Sequence, residues 1–427
     1  MKITEIHARQ ILDSRDNPTM EADVILEGGA SGRAAVPSGA SVGAHEAIEL
    51  RDNDPASYSG KGVLKAIGNV NGEIKNALLG YDAENQKEID KRLIELDGTP
   101  NKGRLGANAI LAVSLAVSKA AANAKKIPLF EYFGILAGND KFSLPVPLIN
   151  IINGGRHAAG STDIQEFMLV PAGAKSFSEA MKMSTAVFHA LGEVLNEKNY
   201  GIVMGDEGGY ALAVREGNEE ALKLMIEAIN KAGFTPGKEF FLALDIAASE
   251  LKDENGYKLG REGKILSSDE MMSWLKDLSE KYPIISIEDG LDEEDWDNWT
   301  RFTAQNLGLQ IVGDDLLVTN TELLKKAIER KAGNAILIKP NQIGTLTESI
   351  EAVKMAQAFG WRAIISHRSG ETKDTTIAHL AVGLNAGQIK TGSVSQAERI
   401  AKYDELIRIE EILGKDASYP GLSVFQK

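Results

Sequence analysis

Hydrophobic and polar positions follow two different patterns along the chain. Residues 1–30 alternate between apolar and polar in the manner of strands, with breaks at Asp16 to Pro18 and at Gly28-Gly29. This predicts an antiparallel hairpin or meander. Residues 60–125 then show the spacing of successive helices. Because strands are followed by helices and do not alternate with them, the first part of the chain is predicted to be a small α+β domain.

From Leu144 onward, short apolar strands alternate with amphipathic helices. The predicted strands are FFLALDI, PIISIEDG, LQIVGDD, AILIKPN, RAIISHRSG and QIKTG. The predicted helices include Ser268–Tyr282, Asn320–Lys331, Thr347–Phe359 and Ser395–Leu413. Alternation over two thirds of the chain favours a β/α barrel over an open doubly wound sheet. A turn-rich stretch places the boundary near residues 134–140, so we predict domains at 1–134 and 141–427.

The predicted barrel strands end in residues that can carry chemistry. These are Asp245, Glu288, Asp314, Lys339, His367, Arg368, Ser369 and Lys390. Strand ends converge at one mouth of a β/α barrel, where such enzymes hold their active sites. Three carboxylates there can surround a divalent cation, and the lysines and arginine suit an anionic substrate. Each residue alone could be a solvated loop charge, but the ordered set argues against that interpretation. Spacing alone does not separate Asp314 from Asp315 as a ligand.

Charge and composition narrow the class of function. Lys and Arg number 47 against 61 Asp and Glu, giving a net charge of −14, which disfavours nucleic acid or membrane as the main partner. The chain has no cysteine and only six histidines, so a metal would be held by carboxylates, as Mg²⁺ is. The N-terminus does not have the pattern of a signal peptide, and the pattern of residues 105–124 predicts a buried helix. We therefore expect a cytoplasmic protein.

Ten motifs in order indicate a known family. They are DSRDNPT (13–19), SGASVGAHEA (38–47), NGGRHA (153–158), QEFM (165–168), GDEGG (205–209), SIEDG (286–290), GDDL (313–316), KPNQIGT (339–345), SHRSGET (366–372) and IKTG (389–392). With these motifs the chain resembles the enolases, over essentially its whole length. The resemblance implies a modified (β/α)8 TIM barrel of α/β class, ordered ββαα(βα)6, behind a small α+β N-terminal domain. Asp16 stands where the family usually has Gly, a departure that Asp tolerates through the left-handed conformation.

The resemblance also assigns roles, residue by residue. It implies that Asp245, Glu288 and Asp314 hold one Mg²⁺, and that Ser41, on a lid, reaches a second Mg²⁺ that binds with substrate. It implies that Lys339 is the general base and Glu207 the general acid. The substrate-binding residues would be His157, Gln165, Glu166, His367, Arg368, Ser369 and Lys390. A lysine that acts as a general base must be neutral before it accepts a proton, and we expect Mg²⁺ and Lys390 to favour the uncharged amine of Lys339.

Partners and competing functions follow from the same resemblance. It implies the dehydration of 2-phospho-D-glycerate, a small phosphorylated acid, to phosphoenolpyruvate by a homodimer or by a higher oligomer such as an octamer. Bacterial enolases are implicated in an RNA-degrading complex and in plasminogen binding at the cell surface, and any such role here would be additional to catalysis. The competing functions are sugar-acid dehydration or racemisation, which need neither Arg368-Ser369 nor Ser41, and a purely non-catalytic scaffold. Gly39 to Gly43 also fits the G-x-S-x-G hydrolase motif, but it lies in the α+β part.

Overall fold

The computed structural model describes residues 1–39, 43–305 and 307–426, so Ser41 lies outside the described residues. The N-terminal part begins with a three-stranded antiparallel meander and continues with five helices. The strands are β1 (Ile3–Leu12), β2 (Pro18–Leu26) and β3 (Ser31–Ala35). The helices are α1 (Leu64–Asn69), α2 (Lys75–Leu78), α3 (Gln86–Asp97), α4 (Ala107–Lys125) and α5 (Leu129–Ala137).

The turn between β1 and β2 has the predicted conformation. Asp16 has φ 58°, in the left-handed region that Asp enters more readily than most residues. The Asp13 carboxylate holds the turn by accepting the amide hydrogens of Arg15 and Asn17, at 2.8 and 2.9 Å. Side-chain acceptors of this kind satisfy turn amides that no strand partner reaches. The Asp-for-Gly difference is therefore accommodated locally.

Helix α4 is the core of the N-terminal domain. Among the described residues it is the one helix long and apolar enough to cross a membrane, but 83% of its most apolar window is buried inside the protein. This confirms the prediction of a buried Ala-rich helix. Gly32 of β3 lies directly on it, and a Cβ at Gly32 would stand 2.2 Å from the Ala116 carbonyl oxygen. The strand and the helix thus meet backbone to backbone.

The second part is a barrel with one small antiparallel ribbon inserted. Its strands are β4 (Val146–Asn153), β5 (Glu166–Val170), β6 (Val203–Met204), β7 (Tyr210–Ala211), β8 (Phe241–Asp245), β9 (Lys252–Asp253), β10 (Gly256–Leu259), β11 (Lys264–Leu266), β12 (Ile284–Glu288), β13 (Gln310–Gly313), β14 (Ala335–Ile338), β15 (Arg362–Ser366) and β16 (Gly387–Lys390). Its helices are α6 (Phe177–Glu197), α7 (Glu219–Lys231), α8 (Ser268–Lys281), α9 (Trp296–Ala304), α10 (Thr321–Arg330), α11 (Pro340–Ile343), α12 (Leu346–Ala358), α13 (Thr376–Gly383) and α14 (Ala397–Leu413).

Eight of these strands form the closed barrel. Their order is β4, β5, β8, β12, β13, β14, β15 and β16, and β16 pairs in parallel with β4 to close the ring. β5 alone runs antiparallel to both of its neighbours in the ring. Two strands and two helices thus precede six βα units, as the family resemblance implies. The amino-terminal end of β5 therefore lies at the same mouth as the carboxyl ends of the other strands.

The six barrel strands and four helices that we predicted by pattern are confirmed, with ends that differ by a few residues. The ribbon β9–β11 was not predicted. Its strands are two to four residues long and partly exposed, so they carry too little alternation to be recognised.

Asp374 joins the two parts of the molecule. Its carboxylate accepts from the amide of Ala35 in β3 at 3.0 Å, from Lys119 Nζ in α4 at 2.7 Å and from the amide of Thr376 at 2.8 Å. Burial would raise the pKa of Asp374, but Lys119 and the other donors outweigh it and lower the pKa to about 2. One ionised carboxylate thus links the N-terminal domain to the barrel.

Candidate active site

The pattern of strand pairing brings the predicted residues together. Glu166 at the start of β5 lies opposite Asp245 at the end of β8, and Asp245 lies opposite Glu288 at the end of β12. Lys390 lies at the end of β16. One cleft at this mouth is lined by His157, Gln165, Glu166, Glu207, Asp245, Asp314, Lys339, His367, Arg368, Ser369 and Lys390, together with Ala247, Asp289, Asp315 and Ser366.

Lys390 is a buried ammonium group among carboxylates. Its Nζ donates to Glu288 Oε1 at 2.8 Å and to Asp245 Oδ2 at 3.1 Å, and it lies 3.2 Å from Glu166 Oε2. Only 2% of the residue is exposed. Burial would lower the pKa of Lys390, but these three carboxylates outweigh it and raise the pKa well above its ordinary value. Lys390 is therefore a fixed positive charge. Its partner Asp245 also accepts a hydrogen bond from Gln165 Nε2, at 3.3 Å.

Asp314 and Lys339 form the second buried ion pair of the cleft. Lys339 Nζ donates to Asp314 Oδ2, and Gln342 Nε2 donates to Oδ1 at 2.9 Å. Asp289 holds this loop, because its two carboxylate oxygens accept the amide hydrogens of Asp314 and Asp315, each at 2.9 Å. A carboxylate that caps two consecutive amides fixes the direction of the side chains that follow. Asp289 thus orients Asp314.

The pKa of Lys339 depends on opposing charges around it. Burial, Arg368 and Lys390 all act to lower its pKa, as expected. The ion pair with Asp314 outweighs them and raises the pKa above the ordinary value. Lys339 is therefore charged as long as Asp314 is its partner, and the neutral amine that can accept a proton is favoured only if another cation takes up the Asp314 charge.

Glu166 and Glu207 form a buried acid pair with His157 between them. His157 Nδ1 lies 3.5 Å from Glu166 Oε1, and Nε2 lies 3.7 Å from Glu207 Oε1. Glu207 stands on the loop between β6 and β7, where Gly208 has φ 80° and lets the loop turn back into the cleft. Asn150 Nδ2 donates to Glu207 Oε2 at 3.0 Å. The two carboxyls thus face one histidine at the mouth of the barrel.

The environment separates the two carboxyls electrostatically. Burial, reinforced by the charge of Glu207, raises the pKa of Glu166 well above its usual value. Burial also acts to raise the pKa of Glu207, but His367 and His157 outweigh it and hold that pKa well below the usual value. Two close acids titrate as a pair, and these surroundings favour the proton on Glu166 over the predicted acid Glu207.

Arg368 and Ser369 follow β15, beside the N-terminal domain. Arg368 makes a two-pronged contact with Glu46, with Nη1–Oε2 at 2.9 Å and Nη2–Oε1 at 3.1 Å, and Nη1 also donates to Asn341 Oδ1 at 3.1 Å. Glu46 accepts the amide hydrogen of Gly43 as well, at 3.1 Å. A bidentate arginine–carboxylate pair has fixed direction as well as strength. The Arg368 guanidinium is thereby held at the cleft by the segment that follows residue 42.

The predicted metal-ligating residues fit a hard cation. Asp245, Glu288 and Asp314 offer only carboxylate oxygens and are at most 6% exposed. No donor within the described ranges reaches the buried Glu288 Oε2, and burial together with Asp245 raises the pKa of Glu288 to about 8. A divalent cation would relieve both costs. The groups of donor atoms that lie within 4.8 Å of one another in the described part of the chain are different sets, namely His157–Glu166–Glu207 and Asp289–Asp314–Asp315.

Comparison with known families agrees with this arrangement. Residues 3–133 match the family model described as "Enolase, N-terminal domain", and residues 141–427 match "Enolase, C-terminal TIM barrel domain". The chain belongs to the enolase family. Enolases use Mg²⁺, and the family supports an enolase-type hydro-lyase acting on a small phosphorylated molecule. The barrel preceded by an N-terminal domain is the fold that the resemblance implied.

Several residues of this enolase site were missed by reasoning from the sequence. Asp289, Glu46 and Asn150 each contact a predicted residue, and Arg399 reaches the cleft from α14. Asp289 directly follows the predicted strand end Glu288, which could have drawn attention to it. Glu46 lies within the motif at residues 38–47, but it and the other two residues are far along the chain from the residues that they contact, so no spacing connects them.

Proposed function

We propose that this enolase-family chain catalyses the reversible dehydration of 2-phospho-D-glycerate to phosphoenolpyruvate and water, with Mg²⁺ as cofactor. The observation that carries the proposal is one cleft lined together by an amine, Lys339, a carboxyl pair, Glu166 and Glu207, and a guanidinium, Arg368. Elimination of water next to a carboxylate needs a base for the carbon-bound proton and an acid for the leaving hydroxide. A phosphate on the substrate needs a cationic partner.

Lys339 is proposed to remove the proton from the carbon that bears the phosphate. Asp245, Glu288 and Asp314 would hold one Mg²⁺, and Ser41 a second that binds with substrate. When bound, Mg²⁺ supplies the positive charge that stabilises the dianion produced by proton removal. Asp314, once engaged by a cation, attracts the Lys339 ammonium less. Burial then favours the free amine that a base requires.

Glu207 is proposed to protonate the leaving hydroxyl, with Glu166 beside it. Burial raises the pKa of Glu166 well above its usual value, so this pair can hold the proton that elimination needs. Lys390 would attract the substrate carboxylate as a permanently charged ammonium. Arg368 and Ser369 would bind the phosphate, and His157, Gln165 and His367 would complete the substrate contacts. The expected roles in RNA degradation and plasminogen binding stay predictions beside this activity.

The test is a spectrophotometric assay of purified protein with 2-phospho-D-glycerate. We expect phosphoenolpyruvate to form with Mg²⁺, formation to stop on chelation, and Mg²⁺ to restore it. D-glycerate, which lacks the phosphate, serves as the matched control and should not react at a comparable rate. Absence of turnover by Mg²⁺-loaded protein contradicts the proposal. Dehydration of sugar acids without a phosphate would support the competing superfamily reaction instead.

A further inference from the structure

Arg399 is a fully buried arginine that connects two loops of the cleft. It lies in the first turn of α14 and is 0% exposed. Its Nη1 donates to the carbonyl oxygen of Arg368 at 2.7 Å, and its Nη2 donates to those of Ser369 at 2.7 Å and Asp206 at 3.2 Å. These contacts tie the loop after β15 to the loop that carries Glu207.

A fourth contact of Arg399 involves an imidazole. Nη1 lies 2.6 Å from His367 Nδ1, and both residues are buried. A guanidinium group can only donate hydrogen bonds and keeps its charge at any ordinary pH. Nδ1 must therefore be the acceptor, without a hydrogen. A neutral imidazole with a bare Nδ1 carries its hydrogen on Nε2.

We propose that Arg399 is a positioning residue that holds His367 in the Nε2–H tautomer, with Nε2 on the side of Glu207. Nε2 lies 3.2 Å from Glu207 Oε2, and no group among the described residues completes a hydrogen bond with it in this conformation. The charged groups facing His367 are Glu207, Glu371 and Arg399. Burial, which Arg399 reinforces, lowers the pKa of His367 to about 4, so the ring is neutral near pH 7.

The tautomer determines which oxygen of Glu207 can carry a proton. Oε2 accepts from Asn150 Nδ2 at 3.0 Å and faces the Nε2–H of His367. An oxygen that already faces two donors is a poor site for a further hydrogen. Oε1, which faces His157 at 3.7 Å, is left for the proton. On the proposed function, this leaves the transferable proton to the oxygen that faces His157.

The direct test is nitrogen-15 NMR of protein labelled at histidine, which has only six histidines to assign. A His367→Gln variant identifies the His367 signals. We expect a bare Nδ1 and a protonated Nε2 between pH 6 and 8, whether or not the protein turns over substrate. A protonated Nδ1 in the unmodified protein overturns the proposal. This measurement does not depend on activity, so it separates this inference from the proposed function.

Variants then separate positioning from mere stability. Arg399→Met removes the donor, and we expect a mixture of His367 tautomers. Lys402→Met is the matched control, because Lys402 is also 0% exposed in α14 but donates to Glu371 Oε2, at 2.8 Å. It should lose stability but keep the His367 signals. Arg399→Lys retains a charged donor and should keep the Nε2–H tautomer. Unchanged tautomers in Arg399→Met, or equal changes in both methionine variants, contradict the proposal.

Catalysis gives an independent readout. Removing a group that orients a proton-transfer partner typically costs about 10- to 100-fold. We expect Arg399→Met to slow elimination by that factor while exchange of the substrate α-proton with solvent changes far less. Arg399→Gln can still donate hydrogen bonds and is the variant to use if the methionine variant does not fold. Because it keeps a donor although it loses the charge, it should retain part of the elimination activity. Equal loss of exchange and elimination would show that Arg399 acts on the fold only.

Discussion

In the proposed reaction Lys339 must change from a charged ammonium to a neutral amine. It is buried and charged beside Asp314, yet it must act as an amine. Lys339→Ala should therefore abolish exchange of the substrate α-proton with deuterated water, with a loss of at least about 10²- to 10⁴-fold. Mg²⁺ binding, followed by calorimetry, should persist because the lysine is not a ligand. Lys325→Ala, at an exposed lysine of α10, is the control, and exchange that survives in Lys339→Ala would mean that another group is the base.

In the proposed reaction Glu207 protonates the leaving hydroxyl, and Glu166 lies beside it. Because Lys339 removes the α-proton, Glu207→Gln should keep solvent exchange but lose about 10²- to 10⁴-fold in elimination. Glu166→Gln removes the carboxyl whose pKa burial raises well above its usual value. If Glu166→Gln alone blocks elimination while Glu207→Gln retains it, the acid is Glu166 and our assignment is wrong.

The charged strand ends could be predicted from sequence because each directly follows an apolar run. Protonation could not be predicted, since it depends on which groups lie opposite across the barrel: the pKa of Glu207 is held well below its usual value by His367 and His157, which lie on other loops. The contact of Arg399 with the cleft could not be predicted for the same reason, because its partners lie about thirty positions earlier in the chain. Periodicity reports which face of an element is buried, but not what the buried polar groups touch.

At the level of elements, β3 and α4 are in contact without side chains between them. A Cβ at Gly32 would lie 2.2 Å from the Ala116 carbonyl oxygen and 2.3 Å from the Ala120 nitrogen. Gly32→Ala should therefore destabilise the protein by at least about 2 kcal/mol, measured by urea unfolding. Gly68→Ala in α1 is the opposite control, because nothing lies within 4 Å of its Cβ position and alanine favours helix. A neutral Gly32→Ala would mean that the two elements separate at little cost.

The contact of β3 and α4 with Asp374 predicts a pH dependence. Its folded pKa of about 2 lies below the ordinary 3.8, so its contribution is present above pH 4 and is lost as pH falls through 2. The difference corresponds to about 2 kcal/mol. Unfolding between pH 5 and 2 should therefore show a steeper loss of stability in the unmodified protein than in Asp374→Asn. Asp140→Asn, at an exposed aspartate, should leave the profile unchanged, and identical profiles for all three proteins would refute the assignment.

For the whole molecule we predict a homodimer, as the resemblance implies. The resemblance places Arg15 and Glu21 of one subunit opposite Glu411 and Arg408 of the other. Within one chain, Glu21 accepts from Arg9 Nη1 at 2.6 Å, Arg408 donates to Glu405 at 2.7 Å, and Arg15 donates to the Gly39 carbonyl oxygen at 3.1 Å. The Arg408 side chain is 60% exposed in the single chain, so it is available to a partner.

Sedimentation of Arg408→Glu tests this arrangement. If the contact is buried in the dimer, loss of one charge leaves its partner uncompensated, at a cost on the order of 3–5 kcal/mol. We expect dissociation at micromolar protein, and reassociation when Glu21→Arg is added, because the pair is then restored with reversed charges. An unchanged oligomer in the single variant removes this pair from the interface.

The closure of the barrel has a consequence for the order in which parts of the chain fold. β16 completes the ring by pairing with β4, where Lys390 lies beside Leu148, more than half the length of the chain away. Contacts between such distant segments form late, because a long loop must be ordered before they are gained. On the ribosome, the N-terminal meander and α4 can assemble early, whereas the acidic groups Asp245 and Glu288 must wait for the ammonium that neutralises them. The carboxylates at the mouth of the barrel therefore gain their ammonium partner only when the last strand closes the ring.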